Sequence, residues 1–252
     1  MNSLSLSPSV NSLEHSIPFT QVTNPDPSLG NKLRLSPAMV KRSLRELKEL
    51  FQREDLFEGI PAGNGSPVVF FPSFPWGDIS GHLLFAFLKR LGYGVHLLKL
   101  RSWASTEQLR ENLIQRVQEI AAMEGPVTLI AHGKGGIFAR DIVIHYPDYV
   151  QQVIYLGIPK TPQRNATEKS QRYLPKVYRN SASIMDELQK NMKITPTKPA
   201  FTICTPLDRN RFSDLLPHLS TEGFADFEIS QIALLFSPDV FRKIGFFLAE
   251  KQ

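Results

Sequence analysis

Val127-Thr-Leu-Ile-Ala-His-Gly-Lys-Gly-Gly-Ile-Phe-Ala-Arg140 is the stretch around which the chain is laid out. Its first five residues form a short apolar run, the mark of a buried strand. A glycine-rich corner, His132-Gly133-Lys134-Gly135, follows. Ile137, Phe138, Ile142 and Val143 then recur at helical spacing as far as His145. A buried strand that turns directly into a helix is the unit from which parallel sheets are wound.

Working outward, the same alternation repeats on both sides. Pro67 to Phe71 is an apolar run bounded by Pro72, and Leu83 to Leu91 carries Leu84, Phe87, Leu88 and Leu91 on one helical face. Gly94 to Leu100 reads as a strand. Ser105 or Thr106 caps a helix through Ala122, with Leu109, Leu113, Val117 and Ile120 inward. Downstream, Val150 to Gly157 and Pro199 to Thr205 are strands. Asp226 to Ser230 reads as a last short strand after a loop, and Ser237-Pro238 opens a final helix with Val240, Phe241, Ile244, Phe247 and Leu248 inward. The expected fold class is α/β: one three-layered domain, a mostly parallel sheet flanked by helices.

Two segments break the rhythm. Residues 1–35 are rich in Ser, Pro and Asn and read as a leader outside the domain, which then runs over 36–252. Ser36-Pro37 starts a helix with Met39, Val40, Leu44, Leu47, Leu50 and Phe51 on one face; its other face carries Lys41, Arg42, Arg45 and Lys48 and offers a weak peripheral contact with a membrane surface. Residues 158–197 hold Pro159, Pro162 and Pro175 with interspersed Lys and Arg, and have the character of a small cap inserted between strands, its Ile184 to Met192 helical.

Composition narrows the function classes. The chain has 252 residues, is 42% hydrophobic and 21% charged, and carries a net charge of +5. That is enough apolar material for a core, and the charge is too dispersed to make a nucleic-acid surface. The single cysteine, Cys204, excludes an internal disulfide and a cysteine metal cluster. The six histidines form no H-x-x-x-H or H-E-x-x-H pair, and Lys134-Gly135 does not complete a phosphate-binding G-x-x-x-x-G-K-[ST]. No cofactor or metal is implied. No apolar run reaches the roughly 18 residues of a membrane span, and the N-terminus lacks a secretory pattern, so a soluble, cytoplasmic protein is expected. Nothing specifies an oligomeric state.

Together these segments resemble the α/β-hydrolase fold, in particular bacterial lipase- and esterase-like members, over residues 37–250. Pro67-Val-Val-Phe-Phe-Pro-Ser-Phe74 is similar to the strand and loop that supply oxyanion-hole amides. Val127 to Arg140 resembles the nucleophile elbow, G-x-S-x-G. Val150 to Pro159 resembles the strand after it, Phe201 to Asp208 the strand that delivers the catalytic acid, and Glu228 to Pro238 the closing histidine segment. Carried over position by position, the resemblance places the nucleophile at Gly133, the acid at Asp208 and the histidine at Gln231, with Ser73, Phe74, Lys134 and His132 around the oxyanion site and pocket.

Glycine has no oxygen to attack a carbonyl, and a glutamine amide cannot take up and return a proton near neutral pH. A lone Ser→Gly change would fit an engineered substrate trap. The missing histidine as well points to an inactive member that keeps a pocket for an acyl or lipid-like small molecule. The alternatives are an active hydrolase with a rearranged site using Ser73 or His218, and an interaction module acting at a membrane or on a protein. His132 is expected to pack beneath the turn, the Lys134 side chain to point to solvent, and Cys204 to be a buried, inert thiol.

Overall fold

The structure, a computed structural model, describes residues 45, 54–73, 81–98, 106–159 and 182–250. The expected leader, nearly all of the helix that follows it, Phe74 and residues 160–181 of the expected cap lie outside the described residues. All those described belong to the unit Ser36–Gln252.

Six strands form one sheet: β1 (Pro67–Phe71), β2 (Gly94–Leu97), β3 (Val127–His132), β4 (Val150–Leu156), β5 (Ala200–Cys204) and β6 (Gly223–Asp226). Their order is β2-β1-β3-β4-β5-β6, and every pairing is parallel. Sequence order therefore reverses beside β1, which sets β1 and β3 side by side within the sheet. In a wound sheet of this kind the carboxyl ends of the strands border the crevice where ligands bind.

Alternation along the central strands divides the core in two. Val69, Phe71, Leu129, Ala131, Val153 and Tyr155 face one side, where they meet α2 (Thr106–Glu124), α3 (Gly135–His145), Leu188 of α4 (Ala182–Asn191) and Leu219 of the short α6 (Leu216–Leu219). Val68, Phe70, Ile130, Ile154, Leu156, Phe201 and Ile203 face the other, against α1 (His82–Leu91) and α7 (Pro238–Ala249). The result is three layers, as the element pattern predicts. Central strands buried on both faces read as continuous apolar runs, which is why β1, β3 and β4 are visible in the sequence.

Three boundaries differ from expectation. The last strand is Gly223–Asp226 and not 226–230. Phe227 and Ile229, whose alternation mimics a strand, lie beyond its end and pack against the α1–α7 side of the core. Asp208, expected at the end of the acid-delivering strand, lies in the first turn of α5 (Pro206–Arg211), where its N–H is bonded to the Oγ1 of the N-cap Thr205. β2 ends at Leu97, three residues short of the expected Leu100. Ser237 does stand at the N-cap of α7 with proline next, but its side chain makes no capping bond.

The second half of the expected cap, Ala182–Asn191, is the crossover helix α4, in the layer beside α3. A buried polar network fastens it there. Arg140, fully buried, donates from Nε to the Asn191 carbonyl at 3.1 Å and from Nη2 to the Ile194 carbonyl. Asp141, also buried, accepts from Arg110 at 2.6 and 2.8 Å and from Asn191 Nδ2 at 3.0 Å, with His145 at 3.1 Å. Arg110 reaches Glu187 on α4 as well. Two adjacent charges on an otherwise apolar helix thus serve as rivets between layers.

Removing one member of a buried charged network strands its partners. Asp141→Ala is therefore expected to lower stability by about 3–5 kcal/mol, against under about 0.5 kcal/mol for Arg116→Ala, which breaks only an exposed pair within α2. Urea denaturation of the two variants checks the contrast.

Candidate active site

The site lies at the carboxyl ends of the central strands. β3 is buried throughout and ends at His132; Gly133 then turns the chain with φ +50°, a left-handed conformation that glycine enters without strain. Its N–H donates to the Leu156 carbonyl at 3.0 Å, and its own carbonyl accepts from Gly136 N–H at 3.1 Å as α3 begins. One strand over, Gly157 N–H donates to the Ile203 carbonyl at 2.7 Å. The ends of β3, β4 and β5 are thereby stitched edge to edge.

Gly135 is fixed by space. A Cβ there would stand 2.4 Å from the Phe71 carbonyl oxygen and 2.7 Å from that of Pro72. The end of β1 presses directly on the backbone of the turn, and no side chain fits between them. Ser73 follows immediately. A Cβ built on Gly133 would lie 2.9 Å from Ser73 Oγ, 3.3 Å from Ser73 Cβ and 3.9 Å from Gln231 Nε2.

Gln231 reaches this point from the far side of the sheet. Its carboxamide lies against Gly157, where a Cβ would come within 2.5 Å of Nε2. Its backbone carbonyl accepts from Nε2 of His132 at 3.1 Å. The structure therefore gathers Ser73, His132, Gly133 and Gln231 at one place. Asp208 stands two strands away from the turn, after β5, and is buried beside Cys204.

Burial sets the electrostatics. The His132 imidazole is pushed down to about 4 by loss of solvent, only partly offset by its bond to the Gln231 carbonyl. It is neutral at physiological pH; with Nε2–H donating, the deprotonated Nδ1 is buried without a hydrogen-bond partner among the described residues. Lys134 differs from expectation. Its side chain is half-buried rather than directed to solvent, and burial lowers the pKa of its amine. Burial, followed by the nearby Asp208 and Asp226 carboxylates, pushes the Cys204 thiol up to about 12, so it stays protonated and unreactive.

His218 is not part of this cluster: its Nδ1 meets Thr195 Oγ1 at 2.9 Å, on an exposed surface. His82 is exposed, and His96 pairs with Glu124 at 3.0 Å. Asp141, His145 and Glu187 bring potential metal-ligand atoms within 4.8 Å of one another, but Arg110 already bridges both carboxylates. Sequence reasoning missed Gly157 as the wall behind Gln231. The Leu-Gly-Ile-Pro turn after β4 carried that signal.

No family model and no curated protein matches this chain. Solved structures do. One, of the metagenome-derived lipolytic enzymes LipS and LipT, aligns at TM-score 0.55 and 13% identity, covering 75% of this chain and 96% of that one. Tomato methylketone synthase I complexed with 2-tridecanone aligns at 0.54 and 11%, covering 74% and 99%. An α/β-hydrolase enzyme from the metagenome of lagoon sediments at Mar Chica, Morocco, aligns at 0.54 and 17%, covering 73% and 90%. Epoxide hydrolases match at a similar level, so the shared feature is architecture and not one reaction.

His132 gives the site a pH signature. Between its ordinary value of 6.5 and about 4, the unfolded chain takes up a proton that the folded site refuses. The stability due to the neutral, buried ring is fully present above pH 6.5 and is lost as pH falls toward 4, by an amount of order 3 kcal/mol. His132→Gln, which keeps an N–H donor and does not titrate, is expected to remove that part of the slope. Chemical denaturation of both proteins from pH 4 to 7.5 measures the difference. Similar coverage of structures that share little sequence, the uniformly parallel sheet and the glycine turn after β3 lead to one conclusion: the chain has the α/β-hydrolase fold.

Proposed function

We propose that this protein is a lipase- or esterase-like hydrolase homologue that has given up catalysis and uses the site to bind an acyl or lipid-like small molecule. One observation carries this: Gln231 Nε2 lies 3.9 Å from the point where a Cβ on Gly133 would stand. The positions that the family resemblance gives to nucleophile and histidine are thus neighbours in space, and neither holds a group able to perform its part. Serine attack on a carbonyl needs an oxygen at the turn and a base that cycles a proton. Glycine and glutamine supply neither. Loss of either partner in such a triad removes most of the rate, leaving roughly 10³–10⁴-fold over water from binding and oxyanion stabilisation.

What remains favours neutral ligands. The side chains gathered at the turn, the Ser73 hydroxyl, the Gln231 carboxamide and the buried His132 ring, are uncharged. Such groups suit a carbonyl on an apolar chain, the kind of molecule represented by 2-tridecanone in the similar methylketone synthase structure. A buried, protonated Cys204 also fits residence in a reducing, cytoplasmic setting.

An active hydrolase with a rearranged site is the alternative, and one contact favours it: Ser73 Oγ sits beside the turn. Incubation with short- and medium-chain nitrophenyl esters and a fluorophosphonate separates the two. We expect hydrolysis at the buffer rate and no covalent adduct by mass spectrometry. Turnover or labelling abolished by Ser73→Ala would replace our proposal with the rearranged enzyme. In parallel, 2-tridecanone is expected to raise the melting temperature by about 2–4 °C at concentrations well above its dissociation constant, and no shift with any medium-chain ketone or fatty acid would remove the ligand class.

A further inference from the structure

The register of the sheet has a consequence at the turn. β1 and β3 are in parallel register with Phe71 opposite Ala131, so two residues further along the chains Ser73 comes to Gly133. The approach is closer than two side chains allow. The end of β1 is held close, because its fully buried strand pairs with β3 as far as Phe71 opposite Ala131. A Cβ on residue 133 would meet Ser73 Oγ at 2.9 Å, a contact that rotation of the hydroxyl relieves. It would also meet Ser73 Cβ at 3.3 Å, a contact that no rotation changes and that only a shift of a few tenths of an ångström between the two backbones relieves.

We propose that positions 73 and 133 form one steric unit with unstrained room for a side chain at only one of them, making Ser73 a positioning residue that sets how well the turn can hold a nucleophile. In this chain Ser73 fills the space and Gly133 leaves it open. A serine restored at 133 is therefore best accommodated with glycine at 73, in addition to a base at 231. This inference rests on the proposal that Gly133 and Gln231 occupy the nucleophile and histidine positions.

The test is a set of variants read in two independent ways. The first is stability by thermal denaturation of Gly133→Ser, Ser73→Ala and Ser73→Gly, each alone, and of Gly133→Ser combined with either change at 73. Gly133→Ser is strained by φ +50° whatever its neighbour, so recovery should be partial and graded. Relative to Gly133→Ser alone, Ser73→Gly is expected to restore about 2–4 °C of melting temperature and Ser73→Ala less, although each of these changes made alone does not stabilise. The second is the fluorophosphonate labelling rate of G133S/Q231H with and without S73G. In the labelling step the serine Oγ–phosphorus bond forms, the phosphorus–fluorine bond breaks, fluoride leaves and the hydroxyl proton passes to the imidazole.

We expect the S73G-containing triple variant to label at least about tenfold faster, the size of one strong pairwise coupling. Additive stability changes would overturn the steric unit even if no variant labels. Equal labelling with and without S73G would overturn its part in positioning the nucleophile. Labelling of the unsubstituted protein would instead sink the inactive-homologue proposal, and leave the stability cycle to judge the steric unit by itself.

Discussion

The contact on which the rest of this structure depends is the one between the end of β1 and the turn after β3. Two carbonyl oxygens stand where any side chain on residue 135 would have to go. Glycine there lets adjacent parallel strands stay in register up to their ends, and only then can α3 leave the sheet at a fixed angle. The positions of Ser73, Gly133 and the first turn of α3 all follow from that approach. A chain can keep this geometry for packing reasons alone, because it is made of backbone and glycine and asks nothing of the residue that would do chemistry.

Much of the fold was legible because burial writes itself into composition. β1, β3 and β4 are apolar on both faces, and α1, α2 and α7 show their inward stripe at helical spacing, so both kinds of element can be found without partners. β6 hid for the opposite reason. Its glycine lies under the Phe201 ring, with 2.8 Å between a Cβ there and the ring, and its short run is only half-buried, while Phe227 and Ile229 beyond it alternate like a strand for unrelated packing reasons. The helix holding Asp208 is signalled by Thr205-Pro206, a cap followed by proline, whereas the family resemblance of Phe201 to Asp208 points to a strand.

The site was legible in a different way. Nothing in periodicity connects residue 73 with 133 or 231; the family resemblance put them in one list, and the sheet register put them in one place. What no sequence pattern could supply was the distance between them. A Cβ on residue 133 would stand 2.9 Å from Ser73 Oγ and 3.9 Å from Gln231 Nε2, so the first contact is tight and the second is ordinary packing. The half-buried Lys134 belongs to the same lesson: its place after the turn was readable, the loss of solvent around its amine was not.

The buried Arg140–Asn191 fastening has a meaning beyond stability. Pro159 packs against Gly136 near the start of α3, since a Cβ on that glycine would be 2.5 Å from the proline ring, and Arg140 near its middle holds the carbonyl ends of α4. The chain that leaves the sheet at residue 159 is therefore returned to the same helix by residue 191. For any segment joining two fixed points, doubling its length adds only about 0.6 kcal/mol of closure entropy. A change in the length of the connection between β4 and α4 would leave both of these anchor points on α3 in place.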